Sequence, residues 1–349
     1  MTTTTGVFHT TYRSELALRR TNAERLRLVL IGVVVVVAPF VVNPYWLSVL
    51  DRIAIAVIGA VGLNILVGFT GLISLGQGGF LAVGAYTTGV LLGRYGTPPL
   101  LAMLVAVVVT AAVGTLAGLP ALRLKGLYLA IATLASQVII LWVVRNWEFL
   151  TEGEGSIVVP PLTIAGFTFD SDRRWYWLLL SLAVLAVLAG TNLFRTGLGR
   201  ALVAIRDQDI AAEVIGVPVG PYKLLAFAIS SGFVGLAGAL TASYRGIITW
   251  ERFTLDVSIL YLAMIIIGGL GSIAGSVYGA IFMIAIPAYI DQVGPRLQST
   301  FPTIVQQLPA IQLGVFGALI VLFLIFEPRG LARLWQRVKD YFRLWPFRY

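Results

Sequence analysis

The chain has 349 residues, 58% of them hydrophobic and 12% charged, with a net charge of +9. A soluble domain carries roughly twice that charged fraction, so this composition excludes an ordinary soluble protein and calls for lipid around the long apolar blocks. There is no Cys and the only His is His9, so disulfides, thiolate chemistry and a His/Cys metal site are excluded, and neither catalytic residues nor metal ligands are expected. The basic charge sits in tails and loops between the apolar blocks, where it reads as a topology signal and not as a nucleic-acid footprint.

In chain order, residues 1–26 form a basic cytoplasmic tail, and the first apolar block, 27–43, reads as an uncleaved span. Further spans are expected at 53–68, 72–92, 99–119 and 127–144. A Gly-, Pro- and acid-rich loop, 145–174, is placed outside, followed by a span at 175–193. Residues 195–223 form an inside loop. The remaining spans are 224–243, 257–270, 273–290 and 311–326, and 327–349 make a second basic tail. The transmembrane domain thus covers 27–326. The expected fold is an all-α membrane protein of about ten transmembrane helices with glycine-broken segments. The eighth span is short and ends on glycine, so it reads as re-entrant or broken. With the N-terminus inside, 17 of the 25 Lys and Arg fall on the inner side, as the positive-inside rule requires. Both termini are then cytoplasmic.

Dividing the map after the fifth span leaves two five-span halves of opposite orientation. The third span of each is interrupted by glycine, from Gly71 to Gly84 and from Gly268 to Gly275. Matching broken helices near the middle of a bilayer mark a transport path. The expected spans carry no charge in their interiors, which argues against proton or ion coupling. A sodium-coupled secondary transporter, with its ion held by carbonyls and hydroxyls, stays open as the alternative, and so does a membrane scaffold. The three lysines, Lys125, Lys223 and Lys339, are followed by Gly, Leu and Asp, so the Gly-Lys-Ser/Thr of a P-loop is missing. Uphill transport would need energy from another subunit.

Two segments carry most of the information. The first, Gly62 to Tyr86, is too rich in glycine for an ordinary helix. Its candidate path residues are Asn64, Ser74, Gln77 and Gly78, joined from the second half by Gly268, Gly269 and Gly271. For each glycine alone, close helix packing is the better reading. For Asn64, Ser74 and Gln77, lining a path and bonding within the structure weigh equally. The second segment, 199–217, suits short surface helices that meet a partner, with Arg200, Arg206, Asp209, Ala211, Ala212, Glu213 and Gly216 as candidate contacts. Near the C-terminus, Leu331, Leu334, Trp335, Val338 and Phe342 fall on one face at helical spacing, as in a helix lying in the inner interface.

Several stretches resemble the high-affinity branched-chain amino acid permeases of bacterial ATP-binding-cassette importers. They are Leu63-Asn-Ile-Leu-Val-Gly68, Ser74-Leu-Gly-Gln77, Gly84-Ala-Tyr86, Lys125-Gly-Leu-Tyr-Leu-Ala-Ile131, Gly199-Arg-Ala-Leu202, Ala204-Ile-Arg206, Ile210-Ala-Ala-Glu213 with Gly216, Tyr222-Lys-Leu-Leu-Ala-Phe227, Gly268-Gly-Leu-Gly-Ser272, Phe326-Glu-Pro-Arg-Gly-Leu331 and Leu344-Trp-Pro-Phe-Arg-Tyr349. Two departures stand out. Ile210 occupies the place of the usual Glu in the coupling loop, and Glu152 replaces a Gly in Thr151-Glu-Gly-Glu-Gly155. The resemblance implies a multi-pass protein of the bacterial cytoplasmic membrane that imports branched-chain or related amino acids. Urea, amides or aromatic acids are open substrates of the same family. It implies four kinds of partner: a second homologous permease, two cytoplasmic ATPases, a periplasmic solute-binding protein and the lipid bilayer. ATP and Mg would be bound by the ATPases, with no cofactor on this chain.

Overall fold

The computed structural model describes residues 22–147, 156–164, 166–297, 308–327 and 330–344. Its helices are α1 (Asn22–Val41), α2 (Pro44–Asn64), α3 (Gln77–Gly93), α4 (Pro99–Gly118), α5 (Leu127–Asn146), α6 (Asp172–Leu193), α7 (Gly197–Asp207), α8 (Asp209–Val214), α9 (Val219–Arg245), α10 (Leu255–Gly268), α11 (Ile273–Leu297), α12 (Leu308–Phe326) and α13 (Gly330–Leu344). Among the described residues, six helices are long and apolar enough to cross a membrane by length and composition, against the ten spans expected. The chain is nevertheless a helical, multi-pass membrane protein. Four short strands accompany the helices. In the segment expected only as a loop, β1 (Ser156–Val158) pairs antiparallel with β4 (Ile247–Thr249), and β2 (Thr163–Ile164) pairs with β3 (Phe167–Thr168). The Thr151–Gly155 stretch lies outside the described residues, as does most of the first basic tail.

The third span is where the sequence map needs correction; the eighth is a short helix ending on glycine, as expected. The third was expected as a helix from residue 72, but α3 starts only at Gln77. After α2, a π turn (Ile65–Phe69) ends the helix, and residues 71–76 run back into the bundle without helical structure. By the end of that run Gln77 has reached the level of Gly59, to whose carbonyl its Nε2 donates at 3.1 Å. Gly59 is nearer the middle of α2 and its π turn than either end. α10 repeats the device from the opposite side. After α9 the chain passes through β4 and a 3-10 turn (Trp250–Phe253), and Phe253 accepts a bond from Gln137 in the middle of α5. With 17 and 14 residues, α3 and α10 span only about 25 and 21 Å at 1.5 Å per residue. They are half-helices whose N-terminal ends meet inside the bundle. Backbone without helical bonds is tolerated at that depth because protein covers it.

The packing repeats between the halves. α2 lies against α10 and α11 as α9 lies against α3 and α4, and α2 and α9 pack on each other while running in opposite directions. The α3–α4 and α10–α11 pairs correspond. Glycine makes these seams possible. A Cβ on Gly84 would collide with the backbone of Gly235, and one on Gly279 with the carbonyl of Met264. Lipid offers helices no hydrophobic gain for associating, so close backbone approach supplies the attraction.

A second correction concerns charge. The second span was expected from residue 53, but Pro44 opens α2 nine residues earlier, a favoured first helical position for proline. Asp51 and Arg52 therefore lie within a helix. Asp51 is fully buried, and neither of its carboxyl oxygens has a hydrogen-bond partner. The helix expected near the C-terminus is α13, which packs on α10 and α11 with Ala332 inward and Trp335 outward. Arg337 pairs with Glu327 at 2.8 Å.

Candidate functional site: the crossing of the broken helices and the loop beneath it

The two breaks touch. Asn64, the last residue of α2, donates from Nδ2 to the carbonyl of Ser272 and to Ser276 Oγ, both at 2.8 Å, and its Oδ1 accepts from the Gly271 backbone at 2.9 Å. One fully buried amide thus ties together three groups between the end of α10 and the first turn of α11. Gly68 has to be glycine for this, because a Cβ there would occupy the place of Asn64 Oδ1.

Gln77 and Gly78 belong to a second junction, at the half-helix starts. Gly78 N–H donates to Ser258 Oγ at 2.8 Å, Ser258 donates to Gln137 Oε1 at 2.7 Å, and Gln137 Nε2 donates to the Phe253 carbonyl at 3.2 Å. Ser74 is buried and accepts from the Gly76 backbone. Gly268 packs on Gly275, and Gly269, at φ +125°, turns the chain out of α10. The structure therefore groups Asn64 with Gly271, Gly78 with Ser258 and Gln137, and Gln77 with Gly59. Asn64, Ser74 and Gln77 are all buried within the chain. Thr133, Gln137, Ser258 and Ser276 escaped the sequence reading. Their only signal was a lone polar side chain in an apolar helix, which in a membrane marks a bond to a neighbouring helix.

The loop of residues 195–223 lies directly under the first junction. Thr196 caps α7 by accepting from the Gly199 backbone. Leu202 turns inward into a cluster with Leu66 and Leu72, which flank the break after α2, with Leu198 packed against it; Ile205 is buried as well. Phe194 stacks on Phe69 of the π turn, with centroids 3.5 Å apart. Arg206 makes the most direct connection. Its Nη1 donates to the Gly68 carbonyl at 2.6 Å, its methylenes lie against Gly71, and a Cβ on Gly271 would come within 2.7 Å of the same nitrogen. A helix C-terminus leaves carbonyls unpaired and carries partial negative charge, so a guanidinium is well suited to this position. One side chain of α7 thereby touches the breaks of both halves.

Asp209 fixes the other helix of the loop. It lies 2.5 Å from Lys125 Nζ and 3.5 Å from Lys223 Nζ. The hydrogen bond from Lys125, with the charge of both lysines, holds its carboxyl below the usual 3.8 against the opposing effect of burial. A lowered value in the folded state means the clasp is intact above the ordinary carboxylate pKa and is lost only as pH falls through the lowered value. The other candidate contacts do not form a single face. Ala212 is buried, while Ala211, Glu213 and Gly216 are exposed, and Arg200 reaches back to the Arg195 carbonyl at 3.4 Å. Gly216 has φ +91° with nothing within 4 Å of a Cβ, and it ends α8 in the left-handed turn that glycine favours. Sequence reasoning missed the apolar patch beside it. Ile210, Val214 and Ile215 are 68%, 83% and 75% exposed.

A family model described as the permease component of branched-chain amino acid transport systems matches residues 45–324. The high-affinity branched-chain amino acid transport system permease protein LivM of Escherichia coli K12 is 32% identical over 89% of this chain and 75% of its own length. In Methanocaldococcus jannaschii two different permease proteins, named LivM and LivH, are 27% and 29% identical over 66% and 63% of this chain, and over 67% and 72% of their own lengths. No solved structure matches. With the family model covering most of its length, the chain belongs to the branched-chain amino acid transport permease family.

Proposed function

We propose that this chain is the transmembrane permease subunit of an ATP-driven importer that moves branched-chain or related amino acids inward. The observation that carries this reading is the Arg206 bond, which joins an exposed pair of loop helices to the crossing of both broken segments. In this reading residues 195–223 and both tails face the cytoplasm, and two ATPases dock on the loop. ATP and Mg bind to those ATPases. A periplasmic solute-binding protein delivers solute on the other side. The second permease would be a homologue, as expected where one organism carries two different chains similar to this one. The half-helix starts at Gln77, Gly78 and Ser258 and the crossing at Asn64 would form the moving wall of the path.

The exposed Ile210, Val214 and Ile215 are the docking surface in this reading, since such a patch in a loop otherwise rich in charge needs a partner to leave water. Val214→Asp and Ile215→Asp each test it. Neither side chain is buried, so insertion and fold should survive, whereas co-purification of the ATPase should fall at least about tenfold, the loss of ~1.4 kcal/mol that one large apolar contact can supply. Undiminished co-purification with both variants would remove the loop from the ATPase contact.

A further inference from the structure

At the end of the bundle opposite α7 and α8 lies a cavity of about 470 Å³ between α2, α9, α10 and α11, within the ~300–1,000 Å³ range of small-ligand sites. Its rim carries charges of both signs: Arg52, Arg245 and Arg252, and Glu251 and Asp291. Among the described residues, no ion pair joins these arginines to these acids. Arg52 Nε reaches only the Ser48 carbonyl, at 3.4 Å, and Asp291 accepts from Gln312. The inner wall is apolar, formed by Ile55, Val257, Leu260, Met264 and Met283 with the rings of Phe253 and Tyr261. Val257, Leu260 and Met264 lie on the half-helix α10 and Met283 on its partner α11, so the wall belongs to the element that ends at the Asn64 and Arg206 crossing.

A cavity with separated positive and negative groups at its mouth and an apolar interior matches one ligand chemistry closely. A carboxylate alone would leave the acids unused, an amine alone would leave the arginines unused, and a hydrocarbon would leave both facing water. We propose that this cavity is a substrate site within the permease itself, holding an aliphatic α-amino acid. Its carboxylate lies toward the arginines, its ammonium toward Glu251 and Asp291, and its side chain among Val257, Leu260 and Met264. The proposal rests on the permease reading but does not need ATP, an ATPase or a binding protein. The chain then contributes to selection of the solute and is not only a conduit for it.

The test is equilibrium binding of radiolabelled L-leucine to the full chain purified in lipid nanodiscs, with leucinamide and 4-methylpentanoate as competitors. Leucine should bind, and each competitor, lacking one of the two charges, should be at least about tenfold weaker, since a hydrogen bond to a charged group contributes ~1.5–3 kcal/mol. Leu260→Trp, which fills the interior, should abolish binding. Val257→Ala, a milder change that decides the matter if the Trp variant does not fold, should shift preference from leucine toward phenylalanine. Absence of leucine binding by the folded chain, equal binding of the three ligands, or an unchanged preference in Val257→Ala would each overturn the proposal. ATP-dependent uptake that persists alongside any of these results would show that the cavity assignment alone had failed.

Discussion

Arg206→Ala is expected to uncouple transport from ATP hydrolysis. The variant should insert, fold and hold its ATPase, because Leu202 and Leu198 still anchor α7 on the cluster of Leu66 and Leu72. What it loses is the charge-assisted bond to the Gly68 carbonyl and the guanidinium packed at Gly71 and Gly271. A bond of that kind contributes about 1.5–3 kcal/mol, enough to change the ratio of two conformations by roughly 10- to 150-fold. Uptake at equal expression should therefore drop by at least about tenfold while ATP hydrolysis continues. Arg206→Lys should retain part of the effect, since an ammonium can reach one carbonyl but lacks the planar fork. The competing view, a solvated surface arginine, expects a change within ±0.5 kcal/mol and normal uptake. Uptake and hydrolysis assayed together in vesicles separate the two.

The second large effect is expected at the glycine seam between α3 and α9. Gly84→Val should abolish accumulation of the folded protein, because its Cβ meets the Gly235 backbone and no rotamer can relieve a clash with main chain. Overpacking against side chains typically costs ~1–3 kcal/mol, and here the helices themselves would have to separate. Gly232→Ala on the same helix α9 is the control, since the nearest atom to its Cβ would be 3.6 Å away. It should accumulate normally, as measured by membrane-fraction yield and monodispersity in detergent. Equal yields for the two variants would mean that the α3–α9 seam is looser than these contacts require.

Much of this architecture could be read from the residues because membranes impose simple rules. Apolar length and loop charge located most of the helices, and glycine at Gly71 and Gly268 marked both breaks. The limits of the reading are equally physical. Apolar composition does not distinguish extended chain from helix once both are covered by protein, so residues 72–76 read as the start of a span. Hydropathy also passed over Asp51, because α2 begins at Pro44, outside the apolar block. In the loop, the small residues Ala211, Ala212 and Gly216 were grouped from sequence, but the turn into α8 buries Ala212 and exposes Ile210, Val214 and Ile215 instead. The partners of Asn64 lie more than 200 residues away in the chain, a distance at which no local pattern could pair them. The cavity rim has no local pattern in the sequence; it depends on α2, α9 and α11 bringing Arg52 and Arg245 together with Asp291.

The central claim is that this chain is a permease driven by ATP hydrolysis on a docked partner. It is tested most directly by reconstituting the chain in proteoliposomes with a homologous permease, ATPases and a solute-binding protein from the same organism, and measuring leucine uptake. The account expects uptake that requires ATP inside the ATPase-bearing compartment, is indifferent to a sodium gradient, and is lost in Arg206→Ala without loss of ATP hydrolysis. Leucine accumulation driven by a sodium gradient in vesicles containing this chain and no ATPase would contradict it.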